Sequence, residues 1–340
     1  MKKFILLFLF VYLVSSVSAQ RTEENRLTID FAWYPANLDG YEITGFAPID
    51  YSTVPAADFS GLQDGGRDLG GQAFEAQVKA LRSYKIPWLR GTGPLTSGNN
   101  IEVQLQGELS PVSLNTVVRT RFTPLAVLTM DAALSAGKGW SLGNLNGLAL
   151  NTAEEPYDPT PLGGFVLGGD FGATAQFDLG AVVPGDWTHL LMLYRSGVEY
   201  RMNTSAEGDE PWQWLADSGE NYNGWNWSQT ALLGYATPAL KLLDTAGFLL
   251  ETSRRITNYD LSPMDSGGWG SDFLEVFFGP VVVLKWGSGH SMNIQMQFAR
   301  ERDYTDGSVA NESFIYREVD TVNPTYWYFR RVAMSYSRAF

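Results

Sequence analysis

The sequence predicts an all-β protein: an antiparallel transmembrane β-barrel of about twelve strands, with ten and fourteen also compatible. Three observations predict it. Long segments along most of the chain alternate apolar and polar side chains. The connections between them alternate short and long. The last fifteen residues read as one strand, crowded with aromatics at its start and ending in phenylalanine. A period of two with one apolar side, at lengths of about 9–11 residues, suits strands that cross a bilayer at a tilt. A soluble sandwich shows the same alternation with its apolar face inward. Segment length and the two chain ends favour the membrane form.

Counting back by twos from Phe340 places Arg338, Tyr336, Met334, Val332, Arg330, Tyr328 and Tyr326 on one face. Ala339, Ser337, Ser335, Ala333, Arg331, Phe329 and Trp327 fall on the other. The first face is apolar near the terminus and is read as lipid-facing. Arg338 interrupts it close to the interface, where a charge costs little. The set Val332, Met334, Tyr336 and Phe340 resembles the C-terminal signal of bacterial outer-membrane β-barrels. That resemblance implies an outer-membrane location, with membrane lipid and the barrel assembly machinery as partners.

At the other end, Lys2 and Lys3 precede an apolar run from Phe4 to Val14, and the small residues Val17, Ser18 and Ala19 follow. This is the pattern of a secretory signal peptide, with cleavage expected after Ala19. Residues 1–19 are therefore set aside, and 20–340 are read as one barrel domain with long outer loops. Removing two lysines takes the formal charge from −13 to about −15. An acidic chain argues against a nucleic-acid partner. There is no cysteine, so there is neither a disulfide framework nor a thiolate metal site.

The strands are expected at 27–34, 80–90, 100–109, 112–122, 125–137, 164–180, 188–202, 225–236, 241–255, 271–286, 291–303 and 325–340. Ile101, Val103 and Leu105 oppose Glu102, Gln104 and Gln106; Met292, Ile294, Met296 and Phe298 oppose Asn293, Gln295 and Gln297. Short connections centre on Thr123-Pro124, Pro184-Gly185-Asp186, Thr237-Pro238 and Gly287-Ser288-Gly289. Long ones run roughly 138–163, 203–224, 256–271 and 304–324. An even count puts both chain ends and every one of these short turns on the periplasmic side. Residues 35–79 form a long first outer loop in this reading, and Gln72 to Arg82 are compatible with a helix in or on the barrel.

The run Gly93-Pro-Leu-Thr-Ser-Gly-Asn-Asn100, followed by Glu108-Leu-Ser-Pro-Val112, is similar to uncharacterised outer-membrane proteins of spirochaetes. The resemblance covers about residues 90–160. It implies location and fold and carries no activity.

Candidate chemistry is sparse. His189 and His290 both flank short turns, and His189 shares the polar face with Leu191, Leu193 and Arg195. A barrel lipase needs a histidine and a serine near the outer leaflet, so both histidines stand at the wrong end. No enzyme activity, cofactor or metal site is expected. Glu102, Glu108, Arg119, Arg121, Asp170, Asp178, Arg195, Glu199, Arg201, Glu251, Glu275 and Lys285 fall on strands, on the face read as lumenal. There they line a wet pore and bias ion passage, or they pair across the lumen and plug it. Phe273, Phe277, Val281 and Val283 make that face more apolar than a water-filled lumen wants, suited to packing on a loop or on residues 72–82 or to lining an apolar ligand slot. Glu154-Glu155-Pro-Tyr-Asp158 and the tryptophans at 212, 214, 225 and 227 read as solvated loops above an aromatic belt. The function expected is a passive, porin-like channel for small polar solutes. The alternatives are a non-conducting barrel that anchors adhesive loops and, less favoured, a secreted carbohydrate-binding sandwich.

Overall fold

In a computed structural model, the protein forms a closed barrel of twelve antiparallel strands, each bonded to its neighbours in chain order, with the first and last joined. The structure describes residues 22–34, 73–142, 145–150, 160–185, 187–207, 210, 212–214, 221–237, 240–256, 273–302, 321–322 and 324–340. The strands are β1 Thr22–Tyr34, β2 Ala73–Pro87, β3 Asn100–Ser110, β4 Ser113–Leu125, β5 Leu128–Gly139 and β6 Val166–Asp178. They continue as β7 Leu190–Asn203, β8 Gly224–Ala236, β9 Leu243–Arg255, β10 Glu275–Trp286, β11 His290–Arg302 and β12 Thr325–Ala339. Closure pairs both edges of each barrel strand, so none of the twelve presents an open ladder of N–H and C=O groups. The expected signal segment lies outside the described residues, as do most of residues 35–79.

Which face is concave follows from the side chains. Arg195 on β7 reaches Asp131 on β5 at 2.9 Å, across the whole of β6. Side chains two strands apart converge like this only on the inside of a curved sheet. The opposite, convex face carries large apolar residues held open to the surroundings: Leu134 is 60% exposed, Phe171 53% and Phe248 64%. Leu27, Ile29, Leu105, Leu109, Leu114 and Leu233 continue this belt. An exposed apolar surface running round a molecule fits lipid and not water.

Three sequence expectations change. The helix expected over Gln72 to Arg82 is not formed by its described part; residues 73–87 are β2, in register with β1 and β3. Their alternation explains it, because Val78 and Ala80 turn outward while Lys79, Leu81 and Ser83 turn inward. Thr123-Pro124 is not a turn. Both residues belong to β4, where the register shifts between Phe122 and Leu125. Proline lacks a ladder donor and is tolerated at such an irregularity.

The third change is in β12. Gln297 pairs with Arg331 but Phe298 pairs with Phe329, so Arg330 is an extra residue in a β-bulge. A bulge resets the period of two. Tyr326 and Tyr328 therefore share the inner face with Ala299, and not the outer face with Val332. Trp327 and Phe329 turn outward, where they pack on Phe278 and Phe298 with centroids 5.3 Å apart in each pair. The bulge also takes Arg330 off the apolar face, and its guanidinium lies 4.5 Å from the Phe277 ring.

Candidate functional site

The candidate site is the inner wall. All twelve charged residues singled out from the sequence lie on the concave face by register, from Glu102 on β3 to Lys285 on β10. The structure brings some together and leaves others apart. Arg195 donates from Nη2 to Asp131 Oδ2 at 2.9 Å and to Asp170 Oδ2 at 2.8 Å. Its Nε donates to Asp131 Oδ1 at 3.3 Å. Arg119 stands 4.0 Å from Asp170. Glu199 takes both Nε and Nη2 of Arg201, and Arg201 Nη1 donates to Asn221 at 3.2 Å. Glu251 accepts from Gln297 at 3.1 Å, and Gln297 in turn accepts from Arg331 Nε at 2.8 Å. Lys285 pairs with Asp244 at 3.0 Å near the β9 end. Glu108 accepts from Asn115 at 2.9 Å.

Each of these contacts runs along the wall or to a loop at its mouth. They join residues on one strand, on neighbouring strands or on strands one apart. Arg119 and Asp170 face each other over Ala133, while the Arg195 bridge over β6 depends on glycine. A Cβ at Gly172 would lie 2.5 Å from Arg195 Nη2, and one at Gly197 would lie 2.8 Å from Nη1. These two glycines face each other across β6 and β7. The guanidinium lies flat over them, against the wall and away from the axis. Gly279, paired with Leu249, meets a different limit, because a Cβ there would lie 1.8 Å from the Met296 carbonyl oxygen.

Sequence reading missed Asp131, the most buried member of the cluster at 6% exposure. Met130, Ala132 and Leu134 make an apolar face, and Asp131 stands on the alternate one. The same alternation would also have yielded Lys79, whose Nζ lies 2.6 Å from Asp30, and Lys85, opposite Glu102.

Both histidines sit at the end of the barrel that carries the short turns. His189 Nδ1 is 2.8 Å from Asp178 Oδ2, and Asp178 Oδ1 caps Gly180 N at 2.9 Å. His290 bonds Tyr336 at 2.8 Å and stacks on Trp286. These contacts brace turns and chain end.

At the opposite end two connections fold together. Leu148–Leu150 pairs with Trp212–Trp214 on one side and Thr160–Pro161 on the other. Trp212 is 0% exposed, with Leu148 and Tyr222 at 1%. Trp212 Nε1 donates to Asn223 Oδ1 at 3.2 Å, and Asn223 Nδ2 donates to the carbonyls of Asn203 and Ala206. A Cβ at Gly137 would lie 2.9 Å from Trp214 Cζ2. Since Gly137 faces inward, this cap reaches into the mouth of the barrel. The sequence placed these tryptophans in an interfacial belt, because no local pattern announces a contact between residues 148 and 212. Trp212→Ala removes the centre of the cap. It is expected to speed proteolysis within 204–223 about tenfold or more while the barrel keeps its heat-dependent gel mobility.

No protein-family model matches the chain, and no curated protein matches it. Among solved structures, it is similar over its whole length to 95% of the translocator domain of the autotransporter NalP from Neisseria meningitidis, at 8% identity and a TM-score of 0.37. A KdgM porin in complex with disordered oligogalacturonate matches over 94% of this chain and 99% of its own, at 10% identity and 0.33. OccAB2 of Acinetobacter baumannii matches over 94% and 98%, at 9% and 0.32.

Proposed function

We propose that the protein spans the bacterial outer membrane and acts as a narrow passive channel for small polar solutes, with no chemical turnover and no cofactor. One observation carries this reading. A closed barrel with an apolar convex face has a concave wall whose ion pairs lie along the wall. Such a wall offers fixed charges to passing solutes. A twelve-strand barrel encloses less space than the 16–18 strands of large porins, and the cap on Gly137 narrows one mouth further. The solutes are therefore small.

Single-channel recording of the refolded protein in a planar bilayer tests the reading. Discrete steps are expected, and Arg119→Gln with Arg121→Gln should move the reversal potential toward cations, raising the cation-to-anion permeability ratio about twofold or more. A protein that inserts and shows the heat-dependent gel mobility of a barrel, yet never conducts, overturns it. That outcome favours a second reading, in which the barrel anchors the packed cap around Trp212 and Tyr222 for contact with other surfaces.

A further inference from the structure

Opposite sides of the lumen differ in chemistry. On one side β2, β3, β4 and β5 place Lys85, Glu102, Arg121 and Asp131 in register, directly across from one another. The signs alternate strand by strand, at about 4.8 Å per strand. Asp131 is held by Arg195. Among the described residues, Lys85, Glu102 and Arg121 enter no ion pair, although their strands adjoin.

In a ring of twelve, strands β2 to β4 stand opposite β8 to β10. There, between Lys285 near the turns and Glu251 higher on the wall, runs an apolar strip. Leu193, Leu232 and Leu249 form a continuous inward row across β7, β8 and β9. The adjoining row carries Leu191 and Val281, separated by the facing glycines Gly234 and Gly247. Val283 extends the strip toward the turn end. The charged rungs and the strip both lie in the half of the barrel that carries the short turns. A uniformly hydrated lumen has no use for a strip of leucine and valine, since water gains nothing there.

Building on the channel reading, we propose that the lumen selects zwitterionic solutes with an apolar side chain, of which neutral amino acids and short peptides are the smallest. The ammonium and carboxylate meet the alternating charges of β2 to β4, while the side chain slides over the strip on β7 to β10. Anions or cations alone satisfy only half of the charged wall, and sugars leave the strip unused.

Osmotic swelling of proteoliposomes containing the full barrel separates the outcomes. Leucine and asparagine share one charged head and nearly one mass, and differ in the apolar side chain. Leucine is expected to enter about fivefold faster, the ratio that ~1 kcal/mol of apolar contact gives. Leu232→Ser with Leu249→Ser should bring the ratio to about one, and Glu102→Gln with Arg121→Gln should slow both amino acids. Equal rates in a protein that conducts potassium chloride overturn this selectivity and leave the channel standing. A barrel that passes neither ions nor amino acids overturns both.

Discussion

Arginine at position 134 is expected to destabilise the barrel in lipid by about 2–4 kcal/mol, while arginine at position 135 should cost less than about 1 kcal/mol. Leu134 is 60% exposed near the middle of β5, on the convex face with Val118 and Gly169 beside it. Ser135, one residue on, faces the lumen beside Val117 and Gly168. A charge at Leu134 meets hydrocarbon at the depth where the cost is greatest; a charge at Ser135 meets the polar wall. The two substitutions share strand, depth and side chain, so their difference reports environment alone. Unfolding by guanidinium of Leu134→Arg and Ser135→Arg in phospholipid vesicles measures it. Equal costs would mean that the convex face does not meet lipid, and would return the chain to a soluble all-β reading.

Much of this architecture was legible because a barrel strand carries its instruction locally. Period-two alternation needs no knowledge of the partner strand, so all twelve strands were found within a few residues, except that β2 begins well before its expected start. What stayed hidden depends on interruption or distance. The extra residue at Arg330 shifts the face of every residue before it in β12, and counting by twos from Phe340 cannot see that. Gln72 to Arg82 mixes small, charged and amide side chains, so its apolar positions fit either period until β1 and β3 supply the register. The cap joins Leu148 to Trp212 across two full strands and has no periodic signature. The candidate wall was readable as a set of charges, but its pairing was not. Arg195 and Asp170 were both visible, while the geometry that turns them into a cluster rests on Asp131 and on two glycines whose role appears only once β5, β6 and β7 lie side by side.

Removing that arginine is the sharpest test of the wall. In Arg195→Leu, Asp131 and Asp170 lose every hydrogen bond that the guanidinium supplies. Asp131 has little water to replace them, at 6% side-chain exposure, and Arg119 stands 4.0 Å from Asp170. Two neighbouring carboxylates without their cation repel each other and retain a desolvation cost. A loss of about 1–3 kcal/mol is expected, below the range for a fully buried pair because Asp170 and Arg195 keep about a fifth of their surface in water. Neutralising both acids in the same background, with Asp131→Asn and Asp170→Asn, should restore most of it, since no buried charge then remains. Gly172→Ala attacks the same cluster from beneath: its Cβ would stand 2.5 Å from Arg195 Nη2, so the guanidinium must lift from the wall into the lumen. That variant should lose about 1 kcal/mol and also pass current less well, because the displaced group narrows the path. If Arg195→Leu is as stable as the parent and the double asparagine variant gains nothing, the cluster is an incidental contact and the flat, glycine-floored wall is not what holds these charges in place.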